Sequence, residues 1–386
     1  MRRPTTTVPV VALAALAALV ACLPVMASAD ESSGTWTGNI EARGNYYWET
    51  STRVLAPEIS ANVESPGGVR LNGHYLLDSI TSASIASGAL TDVRFNEIRH
   101  DFGFGTGREF DLGGAQLDLS VNGRYSQEPD YSSLAGTVST SLSLADRATV
   151  LRFNFTAFHD EVGKILRGND TSSPDGGDLS NRGKQGDLNG MVMSFLWSQA
   201  LTPRLTLDVG YDLGLLSGYL QNPYRSVVVD SVLLSEVHPD QRTRHTVHGR
   251  LGYFLEPTNT AIHLIYRAYV DNWDVAALTP EVRLYQEIGS LVLLRGRYRY
   301  YTQTRSFFQS NQGYSGADEF WTADPKMTEF ESHLVGGLIV VRLEFLERSI
   351  LDFAWGATVE VGLEYIWRTN SFGNGVIGQI GLNVPF

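Results

Sequence analysis

The sequence holds one cysteine, Cys22, and that residue lies inside an apolar N-terminal stretch. Cleavage beyond the stretch leaves a chain without a thiol, which excludes a disulfide framework and thiolate metal sites. Basic charge is scarce as well. Removing Arg2 and Arg3 with the first 29 residues leaves 28 Lys and Arg against 42 Asp and Glu, a net charge of −14. Nucleic acid, whose binding needs a basic patch, is therefore not an expected partner. Long apolar runs are missing after the N-terminus: no later stretch approaches the ~20 uninterrupted apolar residues of a membrane-crossing helix. A nucleophile motif of the G-x-S-x-G kind is also absent.

What is present begins with an export signal. Arg2 and Arg3 form a short basic region, Val8 to Met26 is almost continuously apolar, and Ala27-Ser28-Ala29 is a small-residue cleavage site ahead of Asp30. Residues 1–29 thus read as a cleaved signal peptide and 30–386 as the mature domain. A membrane anchor would end in a basic flank instead. Leu19-Val20-Ala21-Cys22 offers an alternative, a lipoprotein cleavage site that would leave Cys22 acylated.

The mature chain alternates apolar and polar residues with period two, the pattern of strands with two unlike faces. Over Leu351 to Trp367, Leu351, Phe353, Trp355, Ala357, Val359, Val361, Leu363, Tyr365 and Trp367 share one face; Asp352, Thr358, Glu360 and Glu364 lie on the other. Leu205 to Leu215 and Ala115 to Tyr125 repeat the pattern. Sixteen such segments fall near 35–48, 51–64, 68–82, 91–104, 109–126, 133–146, 147–161, 187–201, 203–219, 241–255, 259–272, 277–287, 290–303, 328–347, 351–367 and 375–386. The fourth and fourteenth break the alternation once each and read as bulged. The expected fold is all-β, a transmembrane antiparallel up-and-down β-barrel of about sixteen strands. Junction lengths agree. The long insertions, near 162–186, 220–240 and 304–327, all follow odd-numbered segments, whereas even junctions such as Thr202-Pro203 are tight. Outer-membrane barrels have that parity, with long loops outside and short turns in the periplasm. Localisation in the outer membrane of a Gram-negative cell follows, among outer-membrane lipids and lipopolysaccharide. The last segment places Val376, Gly378, Ile380, Leu382, Val384 and Phe386 on one face. An alternating strand closed by an aromatic is the signal read by the outer-membrane assembly machinery, the second expected partner.

Several stretches resemble a family of uncharacterised proteobacterial outer-membrane barrels known only as a domain of unknown function. They are LLDSITSAS near residue 80, SQEPDYSS near 130, GYLQNPYRSV from Gly218, HPDQRTRH from His238, YRAYVDNW from Tyr266 and RYRYYTQ from Arg297. That family's Ser-His-Thr after the tryptophan corresponds here to Ala277-Leu278-Thr279, so no histidine role carries over. The resemblance implies a barrel and supplies no chemistry.

With the apolar faces turned to lipid, the lumen receives a basic wall. Its members are Arg242, Arg244, His248 and Arg250, then His263, Arg267, Tyr269 and Asp271, then Glu281, Arg283, Tyr285 and Glu287, and finally Arg295, Arg297, Arg299 and Arg305. Other arcs supply Asp208, Asp212, Asp352, Glu360 and Glu364. Such a transverse field orients ions and polar solutes in a constriction; the alternative is cross-strand pairing that merely packs the interior. The first reading makes the protein a porin-like channel for small polar or charged solutes. An export conduit or partner of an envelope secretion system, for example for a polysaccharide, is the alternative. His100, Asp101, His159 and Asp160 are the groups a less favoured hydrolase would use. No cofactor is expected. Neither is a metal: Asp170, Asp175, Asp178 and Asp187 lack EF-hand spacing, and His245 and His248 point to opposite faces.

Overall fold

The computed structural model of the protein describes residues 34–50, 52–83, 94–165, 182–347 and 355–386. The signal peptide, Cys22, the Asp170–Asp178 loop and Leu351–Ala354 lie outside them. Sixteen antiparallel strands close into one barrel. In chain order they are β1 (Thr37–Glu49), β2 (Thr52–Glu64), β3 (Val69–Ala83), β4 (Arg94–Asp111), β5 (Ala115–Gln127), β6 (Tyr131–Leu144), β7 (Thr149–Ile165), β8 (Arg182–Thr202) and β9 (Leu205–Gly218). A two-stranded hairpin, β10 (Ser226–Val229) and β11 (Val232–Ser235), interrupts the series without joining the barrel. The barrel resumes with β12 (Gln241–Leu255), β13 (Thr260–Asp271), β14 (Ala276–Ile288), β15 (Val292–Gln303), β16 (Phe330–Arg342), β17 (Thr358–Arg368) and β18 (Gly375–Pro385). β18 pairs with β1 from Asn39↔Pro385 to Glu49↔Gly375, which closes the ring.

Alternation sorts the faces as the sequence implies. Phe102, Phe104, Val121, Leu134, Val138, Val247, Leu264, Ile339, Val361 and Leu363 point outward and stay exposed, an apolar belt that only lipid can cover. Charged groups turn inward, and Asp78, Asp101, Asp208, Arg242, Glu281 and Glu364 are buried. Each inward polar layer needs room. A Cβ on Gly103 would fall 2.1 Å from the His74 ring, and one on Gly210 would fall 2.2 Å from His248 Nε2. These glycines let inward imidazoles lie flat across a neighbouring strand.

Several boundaries differ from the periodicity: β7 runs on to Ile165 and β8 starts at Arg182, so both ends of the expected loop 162–186 are strand. β4 runs on to Asp111, and the turn comes at Gly113 and Gly114, whose φ angles of +72° and +119° suit glycine. The Leu351–Trp367 pattern is not one strand: Gly356 at φ +79° sits in a turn, and β17 starts at Thr358. β16 correspondingly ends at Arg342, before a 3₁₀ turn at Glu344–Leu346. The register shifts also lie elsewhere than expected, between Val162 and Gly163 and between Ala200 and Thr202.

The closing seam ends on Phe386, whose backbone N–H donates to Gly38 O and whose carbonyl accepts from Gly38 N, both at 2.9 Å. Removing Phe386 should lower the folded fraction, seen as lost heat-modifiable migration and faster periplasmic proteolysis. Unchanged folded levels would show that neither the seam nor the outward row Ile380, Leu382, Val384 and Phe386 needs its last member.

Candidate functional site

The basic wall divides into two chemical classes. Arg297 on β15 is held between two carboxylates, with Nε 3.0 Å from Glu281 and Nη1 2.9 Å from Glu364. Arg283 also pairs with Glu281, and Arg295 lies 3.6 Å from Glu364. Arg250 donates Nε–H to Asp208 at 2.6 Å. Glu360 accepts from Gln379 at 3.0 Å and lies 3.4 Å from Arg43. Glu287 pairs with Arg342 at 3.0 Å at the turn end of the barrel. Breaking a buried pair by removing one member costs about 3–5 kcal/mol, far more than an exposed pair contributes. That cost applies to the pairs on the buried Glu281 and Glu364, whereas Arg250, Arg43 and Arg342 keep a third to a half of their side chains exposed.

Arg244, Arg267 and Arg299 form the second class. None has a carboxylate within 4.0 Å among the described residues, and Arg244 Nε has no hydrogen-bond partner. They sit on β12, β13 and β15, Arg267 in register with His248 and Thr279, and Arg299 with Glu281. With strands ~4.8 Å apart, three extended guanidinium arms can reach one volume of lumen. Arg305 lies past the end of β15, exposed, in loop 304–329.

Above the wall, loops 219–240 and 304–329 fold into a cap. In loop 219–240 the run Val-Val-Val-Asp-Ser-Val-Leu-Leu forms β10 and β11, with Asp230 and Ser231 at φ 46° and 67°, the backbone of a tight hairpin turn. This loop docks on loop 304–329. Val237 and Trp321 exchange backbone hydrogen bonds of 3.1 and 3.0 Å, and Trp321 Nε1 donates to Ser235 O at 2.8 Å. Glu236 accepts from Thr322 Oγ1 and Ala323 N, both at 2.8 Å, while Arg225 meets Asp324 at 2.7 Å. Trp273, Phe308 and Met327 form the apolar core beneath, joined by Leu220 and Phe320. Arg242 anchors the cap to the wall: its guanidinium stacks 4.2 Å from the Trp273 ring and its Nε donates to Asp271 at 2.8 Å.

The cap reaches across the mouth. Tyr224 donates its hydroxyl to Asp130 in the β5–β6 turn, and Asn370 donates to Pro325 O at 3.3 Å. Between the cap and the side of the barrel opposite the wall lies a cavity of about 620 Å³, lined by Glu49, Glu97, Glu128 and Asp130 together with Arg225, Lys326 and Arg368. Burial holds the Glu128 carboxyl above its ordinary range. The stretches NPYR, SQEPDYSS, HPDQRTRH and YRAYVDNW, far apart in sequence, therefore meet at this cap. The catalytic candidates do not assemble. His100 and His159 point outward while Asp101 and Asp160 are buried inside, where Asp101 accepts from Arg124 at 2.8 Å and His74 lies 3.0 Å away.

Inside the cap, His238 Nδ1–H donates to Leu220 O at 3.3 Å. Its Nε2 is left unpartnered, 3.8 Å from the equally unpartnered Glu236 Oε2. Burial pushes His238 down to about 4 and pushes Glu236 above the usual carboxylate range. The neutral imidazole stabilises the cap fully above its ordinary 6.5, and this contribution is lost as pH falls toward about 4. Glu236 works in the opposite sense, since its buried form is relieved as it gains a proton. His238→Phe should preserve the packing on Trp273 and Phe308 and abolish the acid loosening. Proteolysis or hydrogen exchange of loop 219–240 between pH 7 and pH 4 measures it. Equal acid sensitivity in both proteins would remove His238 from the account.

No curated protein matches the sequence. Among solved structures, the outer membrane protein OprD from Pseudomonas aeruginosa aligns at 8% identity over 91% of this chain and 94% of its own, with a TM-score of 0.42. A bacterial polysaccharide outer membrane secretin aligns at 9% identity, over 90% and 98% of the two chains, with a TM-score of 0.45. The siderophore receptor PirA from Pseudomonas aeruginosa aligns at 9% identity over 87% of this chain, TM-score 0.42, and the chain spans only 57% of that receptor's length. These likenesses concern the barrel architecture. A family described as "Protein of unknown function (DUF3570)" matches residues 91–383, a span that takes in β4 to β18, the basic wall and the whole cap. The chain is a member of that family.

Proposed function

We propose that the protein is a porin-like channel for small polar or charged solutes, with its loop end facing outside the cell. The observation that carries this reading is the survival of unpaired guanidinium groups inside the barrel. Arg244, Arg267 and Arg299 face the lumen with no carboxylate within 4.0 Å among the described residues, although Asp271 stands opposite Arg244 and Glu281 opposite Arg299, while their neighbours Arg250 and Arg297 are held in close ion pairs. Arg267 is exposed to the lumen and Arg244 and Arg299 are half-buried, so their guanidinium groups are within reach of a solute. Across the mouth stand the carboxylates Glu49, Glu97, Glu128 and Asp130, interspersed with Arg225, Lys326 and Arg368. Unlike charges on opposite walls make a transverse field that a passing ion or dipole must follow. The cap narrows the mouth without removing that field.

Exchanging Arg244, Arg267 and Arg299 for Glu changes the lumen charge by two units at each position. In planar bilayers the reversal potential should move toward cations. The shift should be largest at 0.01 M salt, where the screening length is about 30 Å, and small at 1 M, where it is about 3 Å. Arg297→Glu should instead reduce the folded yield, since it leaves Glu281 and Glu364 facing a third carboxylate. A purified barrel that forms no channels, even with loop 304–329 shortened, would overturn the porin reading and favour a docking wall for an exported polymer.

The orientation has its own test. Single cysteines in loop 219–240 or loop 304–329 should react with impermeant reagents on intact cells, whereas those at Gly67 or Asn259 should not. Equal reaction at both ends would reverse or abolish the assignment.

A further inference from the structure

The chain has eight histidines, and three of them occupy one geometry repeated on the outer face of the barrel. His100 on β4, His245 on β12 and His333 on β16 point outward near the loop end of their strands. In each case a tyrosine on the adjoining strand lies one outward step nearer the membrane centre. Tyr75 Oη sits 2.9 Å from His100 Nδ1, Tyr211 Oη 2.7 Å from His245 Nδ1, and Tyr298 Oη 2.9 Å from His333 Nδ1. Each pair is the same diagonal, the histidine standing opposite the residue two beyond the tyrosine: Leu77↔His100, Leu213↔His245 and Tyr300↔His333.

The height of these imidazoles follows from strand geometry. Toward the turn end His100 is followed on its face by Phe102, Phe104 and Thr106 before Arg108; His245 by Val247, Gly249 and Leu251 before Tyr253. Eight residues at ~3.3 Å each and ~40° of tilt span roughly 20 Å, close to the apolar band of a membrane barrel. The histidines therefore stand at one edge of the hydrocarbon, where lipid headgroups begin. No outward histidine stands at the other edge among the described residues: His74, His248 and His263 face the lumen and His238 is in the cap.

We infer that the three Tyr–His pairs bind phosphate groups of lipid headgroups in the leaflet at the loop end. With the phenol donating to Nδ1, the imidazole carries its proton on Nε2, directed away from the tyrosine and into the headgroup layer. An aromatic girdle sets depth with Trp, Tyr or Phe alone; the added imidazole contributes a fixed N–H donor suited to phosphoryl oxygens. Placement decides the class of partner. Counting along the sixteen barrel strands, β4, β12 and β16 are separated by six, four and six steps. A protein partner would cover one sector, whereas sites on three sides fit lipid that surrounds the barrel. His159 is left out, because Glu161 and Asp187 crowd it with carboxylates.

The test uses the full-length barrel exchanged into vesicles of phosphatidylcholine containing phosphatidic acid, whose headgroup is a phosphate monoester. Retained lipid is counted by native mass spectrometry. The wild-type chain should prefer phosphatidic acid roughly fivefold per site, what one net hydrogen bond of about 1 kcal/mol supplies. The triple variant His100→Phe, His245→Phe, His333→Phe keeps the rings and loses Nε2. It should hold as much total lipid, show normal heat-modifiable migration and have no preference. If the triple variant does not fold, single variants should each lose about one site's preference. Equal preference in variant and wild type would overturn the inference, as would no preference in the wild type. Full displacement by inorganic phosphate would also overturn it, by making the ligand a free ion.

Discussion

Inside a bilayer no water is available to a backbone N–H or carbonyl, so each strand of this protein must satisfy its hydrogen bonds on both sides. The seam between β1 and β18 meets that demand over eleven registered pairs, and every other feature inherits the resulting closed ring. Once the ring is closed, pleating gives each strand an inside and an outside. Apolar side chains must take the outside, and the remaining residues are enclosed at high density. The lumen of this barrel is polar because its exterior cannot be.

Enclosure then creates an electrostatic problem that the wall solves unevenly. Glu281 accepts from Arg283 and Arg297, and Glu364 accepts from Arg297 and lies 3.6 Å from Arg295, so two carboxylates hold three arginines in place. Asp271 serves the turn that follows it as well as Arg242, accepting from the backbone of Trp273 at 2.9 Å and of Val275 at 3.0 Å. The same groups therefore fix strand register, turn shape and local field together. Arg244, Arg267 and Arg299 are left outside this arrangement, with no carboxylate within 4.0 Å among the described residues.

The faces were legible in the sequence because period two survives in nearly every strand. Arg242, Arg267 and Arg299 could be placed in the lumen by counting alone. Which of them was paired could not, since pairing depends on register between strands and on reach across two or three neighbours, as with Arg297 and Glu364. Glycine misled where its roles overlap: Gly103, Gly105 and Gly107 continue β4, whereas Gly113, Gly114 and Gly356 turn the chain. The cap left one usable trace, a Val-rich repeat around Asp230-Ser231. Its docking on Trp321 did not, because those contacts join segments 86 residues apart.

That separation sets an order of events. Loop 219–240 precedes β12, and its partner loop follows β15, so the four strands between them must be threaded and paired before Glu236 can meet Thr322. Trp273, which carries the cap's apolar core, belongs to the turn between β13 and β14 and is positioned only by those strands. Until those strands are paired, the contacts that hold the cap together cannot form. The cap is in effect a built-in marker of maturation: cellular proteases would meet an accessible chain during insertion and a closed surface once the last neighbour is in place.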